Sequence, residues 1–174
     1  MFVSNLAALL HDIVKSQEGD LRTDIFTFRG TMPTGGSAIT QPTVINSRQT
    51  HDIFVTRIKM GLTTPATNPS DLDNIRWNCE VSGVAQNMFK SDVEVAAYVG
   101  QPGTNAGVPT GEIDFSPGGF AIRAGADLSV TLTQRANLST QRVVTIAFQI
   151  ILAPKGMAAR LRPTMQFAPT AARA

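Results

Sequence analysis

Between Arg76 and Leu152 the chain repeats one constraint: apolar and polar residues alternate at a period of two. In Asn74–Ser82, the residues Ile75, Trp77, Cys79 and Val81 alternate with Arg76, Asn78, Glu80 and Ser82. That spacing puts every apolar side chain on one face of an extended strand and every polar one on the other, so each segment covers a core on one side only. The pattern returns in Asp92–Val99, Asp127–Thr133 and Gln141–Leu152. Trp77 and Cys79 fall on the apolar phase and are expected in the core. Tyr98 is out of phase with Val95, Ala97 and Val99 and is expected to be exposable.

The remaining segments extend this plan. Asp24–Gly30 reads as a strand, Thr31–Pro42 as a loop, and Thr43–Ser47 and Asp52–Met60 as strands. Gly61–Asp73, with Pro65 and Pro69, reads as a loop, because proline cannot donate to a ladder. A helical or irregular turn is expected at Ala85–Lys90, and a flexible loop at Gly100–Gly111. Glu112–Phe115 and Phe120–Arg123 read as one split strand around Ser116-Pro117-Gly118-Gly119. Counting it once gives about eight strands, the number of an antiparallel β-sandwich of jelly-roll type. An immunoglobulin framework is excluded, since the chain has one cysteine.

Helical periodicity occurs only at the start, where Leu6, Leu9, Leu10, Ile13 and Val14 form one apolar stripe, Ser4 can cap the helix and Gly19 follows its end. Such a helix packs on its own sheet or reaches to another subunit. After Pro154 the periodicity stops. The domain plan is therefore a helical N-terminal arm over residues 1–20, a sandwich over 21–153 and a C-terminal arm over 154–174.

Catalytic chemistry is hard to assemble from these residues. His11 and His51 are the only histidines and neither is spaced with Cys79 as a metal-ligand set. No G-x-S-x-G elbow or phosphate loop is present. Asp71-Leu72-Asp73-Asn74 lacks the glycine and distal glutamate of a calcium loop and reads as a cap or turn. Glu80, Glu94, Glu112 and Asp114 fall on polar strand faces. Asn137-Leu138-Ser139 matches a glycosylation sequon, but the N-terminal segment lacks the basic region of a secretion signal. The expectation is a protein that is not an enzyme and takes no cofactor.

Charge points to contact surfaces. Only 16% of residues are charged, against roughly 25% in ordinary domains. Charged residues are depleted at interface cores, so a surface covered by neighbouring subunits would look like this. Residues 1–127 hold nine Lys/Arg against all thirteen Asp/Glu, whereas residues 128–174 hold Arg135, Arg142, Lys155, Arg160, Arg162 and Arg173 and no acid. Six cations over that length are thin for nucleic-acid binding, so an acidic neighbouring subunit is the expected counterpart. No stretch is long enough to span a bilayer.

Taken whole, the chain resembles structural proteins of bacteriophage and other icosahedral virus particles. Phe115–Thr133 (FSPGGFAIRAGADLSVTLT) looks like the penultimate hairpin of virion jelly rolls, and Arg142–Leu152 looks like the closing strand. The resemblance implies a capsid or cement (decoration) subunit, located in a virion assembled in host cytoplasm, with other copies of itself or other capsid proteins as partners. Leu9 and Ile13 on the first arm and Arg160, Arg162 and Arg173 on the second are the candidate interaction residues. The alternative is a ligand-binding sandwich, carbohydrate-binding or lectin-like, which would need an exposed Tyr98.

Overall fold

In a computed structural model of the chain, residues 22–35, 39–46, 50–63, 68–82, 86–100, 106–115 and 119–160 are described. Ten antiparallel strands form two five-stranded sheets. They are β1 (Arg22–Met32), β2 (Ile39–Asn46), β3 (His51–Leu62), β4 (Ile75–Val81), β5 (Gln86–Asn87), β6 (Val93–Glu94), β7 (Glu112–Asp114), β8 (Phe120–Ile122), β9 (Asp127–Gln134) and β10 (Arg142–Pro154). Two short helices, α1 (Pro69–Asp73) and α2 (Met157–Arg160), complete the described elements.

Sheet A runs β1-β10-β3-β7, with β8 on the same side of β3 as a continuation of β7. Sheet B runs β2-β9-β4-β5, with β6 beside β4. The short strands are halves of interrupted ones: β7 pairs residues 57–59 and β8 residues 53–55 of β3. In the same way β5 and β6 pair with opposite ends of β4. Eight strand positions result, in orders 1-8-3-6 and 2-7-4-5. First pairs with last, second with seventh, third with sixth and fourth with fifth, as in a long hairpin rolled onto itself. This is the jelly roll expected from the strand count.

The core lies between the sheets. Ile75, Trp77, Cys79 and Val81 of β4 face Val144, Ile146, Phe148 and Ile150 of β10, all of them buried. Trp77 is fully buried and meets Phe89 edge-on at 5.3 Å between ring centroids and Phe148 at 6.4 Å. Phe89 stacks on Phe115 at 6.1 Å, and Phe115 leans on Phe120 at 6.3 Å. Phe89 comes from the interruption between β5 and β6, and Phe115 from the one between β7 and β8. Each break in a ladder therefore turns one ring inward to fill the core. At the core-facing position of Gly30 in β1, an added Cβ would lie 2.5 Å from Leu132 Cδ1 of the opposite sheet, so only glycine fits there without a shift.

Several boundaries differ from the sequence expectation. Ile39–Pro42, expected as loop, begins β2, and Gly61 and Leu62 extend β3. Ala85–Lys90 contributes the short β5 and not a helix. Asp92–Val99 is not one strand: β6 ends at Glu94 and a 3-10 turn occupies Val95–Ala97, closed by the Tyr98 amide donating to Val95 O at 3.0 Å. The turn resets the phase, so Val93, Val95, Tyr98 and Val99 are all buried. Tyr98, expected as exposable, is 1% exposed.

One end of the sandwich is closed by a buried ion pair. Arg142, at the start of β10, donates to Asp71 of α1 through Nε at 3.0 Å and also through Nη2, and both side chains are buried. Ser139 adds its amide at 2.8 Å and its hydroxyl at 2.6 Å to the same carboxylate. Asp71 thus ties α1 to the β9–β10 turn, and it is neither a calcium ligand nor a cap of its own helix. Burial by itself would raise its pKa, but the Ser139 hydrogen bonds and the Arg142 guanidinium outweigh it and hold the carboxyl below its ordinary value. Its contribution to stability is therefore full above the unfolded value of about 4 and is lost as pH falls through the lower folded value. Asp71→Asn strands a buried guanidinium and is expected to cost about 3–5 kcal/mol at neutral pH. Urea unfolding from about pH 7 to about pH 2 checks both the loss and the shallower acid dependence of the variant.

Candidate assembly surface

The outer faces of the two sheets differ in charge because the period-two pattern presents different residues on each. On sheet B the outward positions include Glu80, Glu94 and Asp127, with Asp92 beside them. Two further outward residues, Arg76 and Asn78, are buried although they fall on the polar phase. Arg76 pairs with Glu94 through Nη2, while its Nε and Nη1 find no hydrogen-bond partner among the described residues. Asn78 repairs the broken ladder. Its Oδ1 accepts from the amides of Cys79 at 2.8 Å and Phe89 at 3.3 Å, and its Nδ2 donates to Phe89 O and Asp92 Oδ1 at 3.2 Å each. The sheet's inner side is apolar, so burial pushes the Cys79 thiol pKa well up and leaves it protonated.

Sheet A presents Arg57 and Lys59 of β3 against Glu112 and Asp114 of β7. Their contacts of 3.4–3.9 Å are between partly exposed side chains, and such surface pairs add little stability. At the other end of the same face the character changes. Phe54, Ala153, Met157 and Ala158 form a small second core, joined by Ala121 and Ile151. Here α2 sits on the sheet. Asp52 of β3 is buried and anchors it: Oδ2 accepts the Ala158 amide at 2.7 Å, and Oδ1 accepts the Ala124 amide at 2.7 Å. A carboxylate from a neighbouring strand therefore caps the first turn of α2. The Lys155 amide donates to Thr50 O at 3.2 Å and completes the seat.

Strand register places the start of β1 beside the end of β10. Arg22, the first residue of β1, pairs with Leu152 of β10, and Pro154 pairs with His51. The chain thus enters the sandwich and leaves it at the same end of sheet A. β1 is also the edge of that sheet, with no strand on its other side among the described residues. Asp24 partly blunts this edge, its Oδ1 taking the Ile25 amide at 2.8 Å.

Of the candidate interaction residues, Leu9, Ile13, Arg162 and Arg173 lie outside the described residues. Arg160 ends α2, and its side chain lies outside them too. Sequence reading missed Asp52, whose aspartate before an apolar strand carries no signal of a distal cap. It also missed Arg76 and Asn78, whose phase marked them as solvent-facing. Tyr98, the residue needed for the ligand-binding alternative, has been withdrawn into the core, and burial raises its phenol pKa. Among the described residues no helix is long and apolar enough to cross a membrane.

No family model matches the sequence, and no curated protein matches it. Among solved structures the chain is similar to one in the cyanophage Pam1 capsid asymmetric unit, with 20% identity, 78% of this chain and 86% of the other covered, and a TM-score of 0.38. It is also similar to the decameric BFDV capsid protein, at 12% identity, 76% and 99% coverage and a TM-score of 0.28. A third likeness is to the Drosophila NLP-core, at 7% identity, 71% and 97% coverage and a TM-score of 0.26. At TM-scores below 0.5 these likenesses identify neither a family nor a function.

Replacing Asp52 by Ala removes the acceptor for the buried Ala158 amide, at about 1–3 kcal/mol, and for the part-buried Ala124 amide. Faster hydrogen exchange at residues 155–160, with slow exchange kept in β10, is the expected outcome.

Proposed function

We propose that the protein is a virion structural subunit, a capsid or capsid-stabilising (cement or decoration) protein of a bacteriophage. It works by contact and carries out no catalysis. One observation carries this reading. The base of a basic C-terminal segment is fixed on the outer face of sheet A, while sheet B turns an acidic face the opposite way. The tail holds Lys155, Arg160, Arg162 and Arg173 and no acid. Tail of one copy and face of the next are complementary in charge, which describes a heterologous contact able to close into rings or shells. The low overall charge of the chain and its seated α2 fit a molecule whose work is done at interfaces.

Such an arm gains affinity because its base, α2, is already ordered on the sheet. A shell protein needs many weak, equivalent contacts, and one tail per copy on one face per copy supplies them. The location this implies is a virion, with other copies of the chain or other capsid proteins as partners.

Reversing the tail charge tests the reading. Arg160→Glu with Arg162→Glu is expected to weaken assembly at least tenfold, read by light scattering over a concentration series, with the thermal midpoint of the sandwich unchanged. Adding Glu80→Lys with Asp127→Lys to that variant restores complementarity and is expected to recover part of the loss. Unchanged assembly in the charge-reversed tail would sink the proposal.

A further inference from the structure

The outer face of sheet A carries an apolar ledge that the described residues leave partly uncovered. Ile25 of β1 is 65% exposed, a large apolar side chain at a position where the sheet is otherwise polar. It pairs with Gln149 of β10, and the next pair along the strands is Thr23 with Ile151. Ile151 in turn pairs with Phe54 of β3. Diagonal neighbours across a ladder stand about 7–8 Å apart, so Ile25, Ile151 and Phe54 form a stepped row over β1, β10 and β3. The row spans two interstrand spacings, about 10 Å, the width of one helix. Met157 of α2 closes the row at the Phe54 side, and at the Ile25 side it stays open.

We infer that the occupant of this ledge is the N-terminal amphipathic helix of the same chain. Its apolar stripe, Leu6, Leu9, Leu10, Ile13 and Val14, runs over nine residues, about 12 Å of helix axis. Residues 15–21 join it to Arg22, the first residue of β1, three positions before Ile25. Fully extended, these seven residues reach at most about 25 Å, so the stripe is tethered within range of the ledge. A helix of this length is marginal alone in water and requires a surface on which to bury its stripe.

Charge agrees with this placement. The segment 1–21 holds Asp12, Glu18 and Asp20 against Lys15. At that end of sheet A the exposed cations are Arg22 and Lys155. Acids in the tether meet cations there. The helix is then the second roof of sheet A, lying beside α2, and bridging between copies falls to the C-terminal tail alone.

The inference goes beyond the assembly role and is tested separately from it. Amide hydrogen exchange of residues 6–14 is measured in the full chain, diluted until light scattering reports a monomer. Protection at least tenfold above that of an unstructured peptide is expected. Ile25→Lys is expected to remove it while β10 amides keep their slow exchange, and Ile25→Leu is expected to retain it. Three results would overturn the inference: no protection in the monomer, protection indifferent to Ile25→Lys, or protection that appears only in oligomers, which would place the helix on a second copy. Charge reversal at Arg160 and Arg162 reports on assembly and is expected to leave this protection unchanged, so the two ideas fail independently.

Discussion

The run of rings Phe148–Trp77–Phe89–Phe115–Phe120 is the interaction on which the rest of the structure depends. It begins in the middle of sheet A, crosses to sheet B at Trp77, and returns to sheet A along the open side of the sandwich. Edge-on and offset contacts of this kind add about 0.5–1.5 kcal/mol per pair beyond the area they bury. Their larger role is geometric. Two sheets packed face to face stay open between their edge strands, and a jelly roll has to fill that gap. Here the gap is filled by breaking the strands that border it. The residues released by each break turn Phe89 and Phe115 inward, and Asn78 satisfies the backbone groups that the first break leaves without ladder partners.

Closing that side with rings makes one sandwich edge compact and leaves the other, at β1, as the working edge. The chain enters the sandwich at that edge and leaves it from the neighbouring β10, and the apolar ledge around Ile25 opens there, while Asp52 seats α2 over β3 and β8. At the far end of β10 the Asp71–Arg142 pair with Ser139 seals the sandwich without exposing a charge. The buried ion pair and the seated α2 therefore lie at opposite ends of β10.

Most of the core was legible in the sequence. Ile75, Trp77, Cys79 and Val81, and Val144 to Ile150 in β10, are buried as their alternation requires. The places where the reading failed have separate causes. Asp92–Val99 alternates like a strand, yet a 3-10 turn after Glu94 changes the spacing of its buried residues from two to three and takes Tyr98 inside. Ile39–Pro42 carries a proline and was read as loop, but β2 is an edge strand, where proline is tolerated. Arg76 and Asn78 obey the alternation and point outward, yet loops fold over them.

By itself the sequence determined the class of fold, the faces of the long strands, the identity of the central ring and the uneven distribution of charge. These follow from local periodicity and composition, which act within a few residues. Only the tertiary structure decided that Asp52 caps a helix 106 residues away, that Asp71 finds Arg142, and that β1 starts where β10 ends. The physical reason is that hydrogen bonds and ion pairs between remote segments depend on strand register. Register is fixed by how the whole core packs and leaves no local trace around either partner.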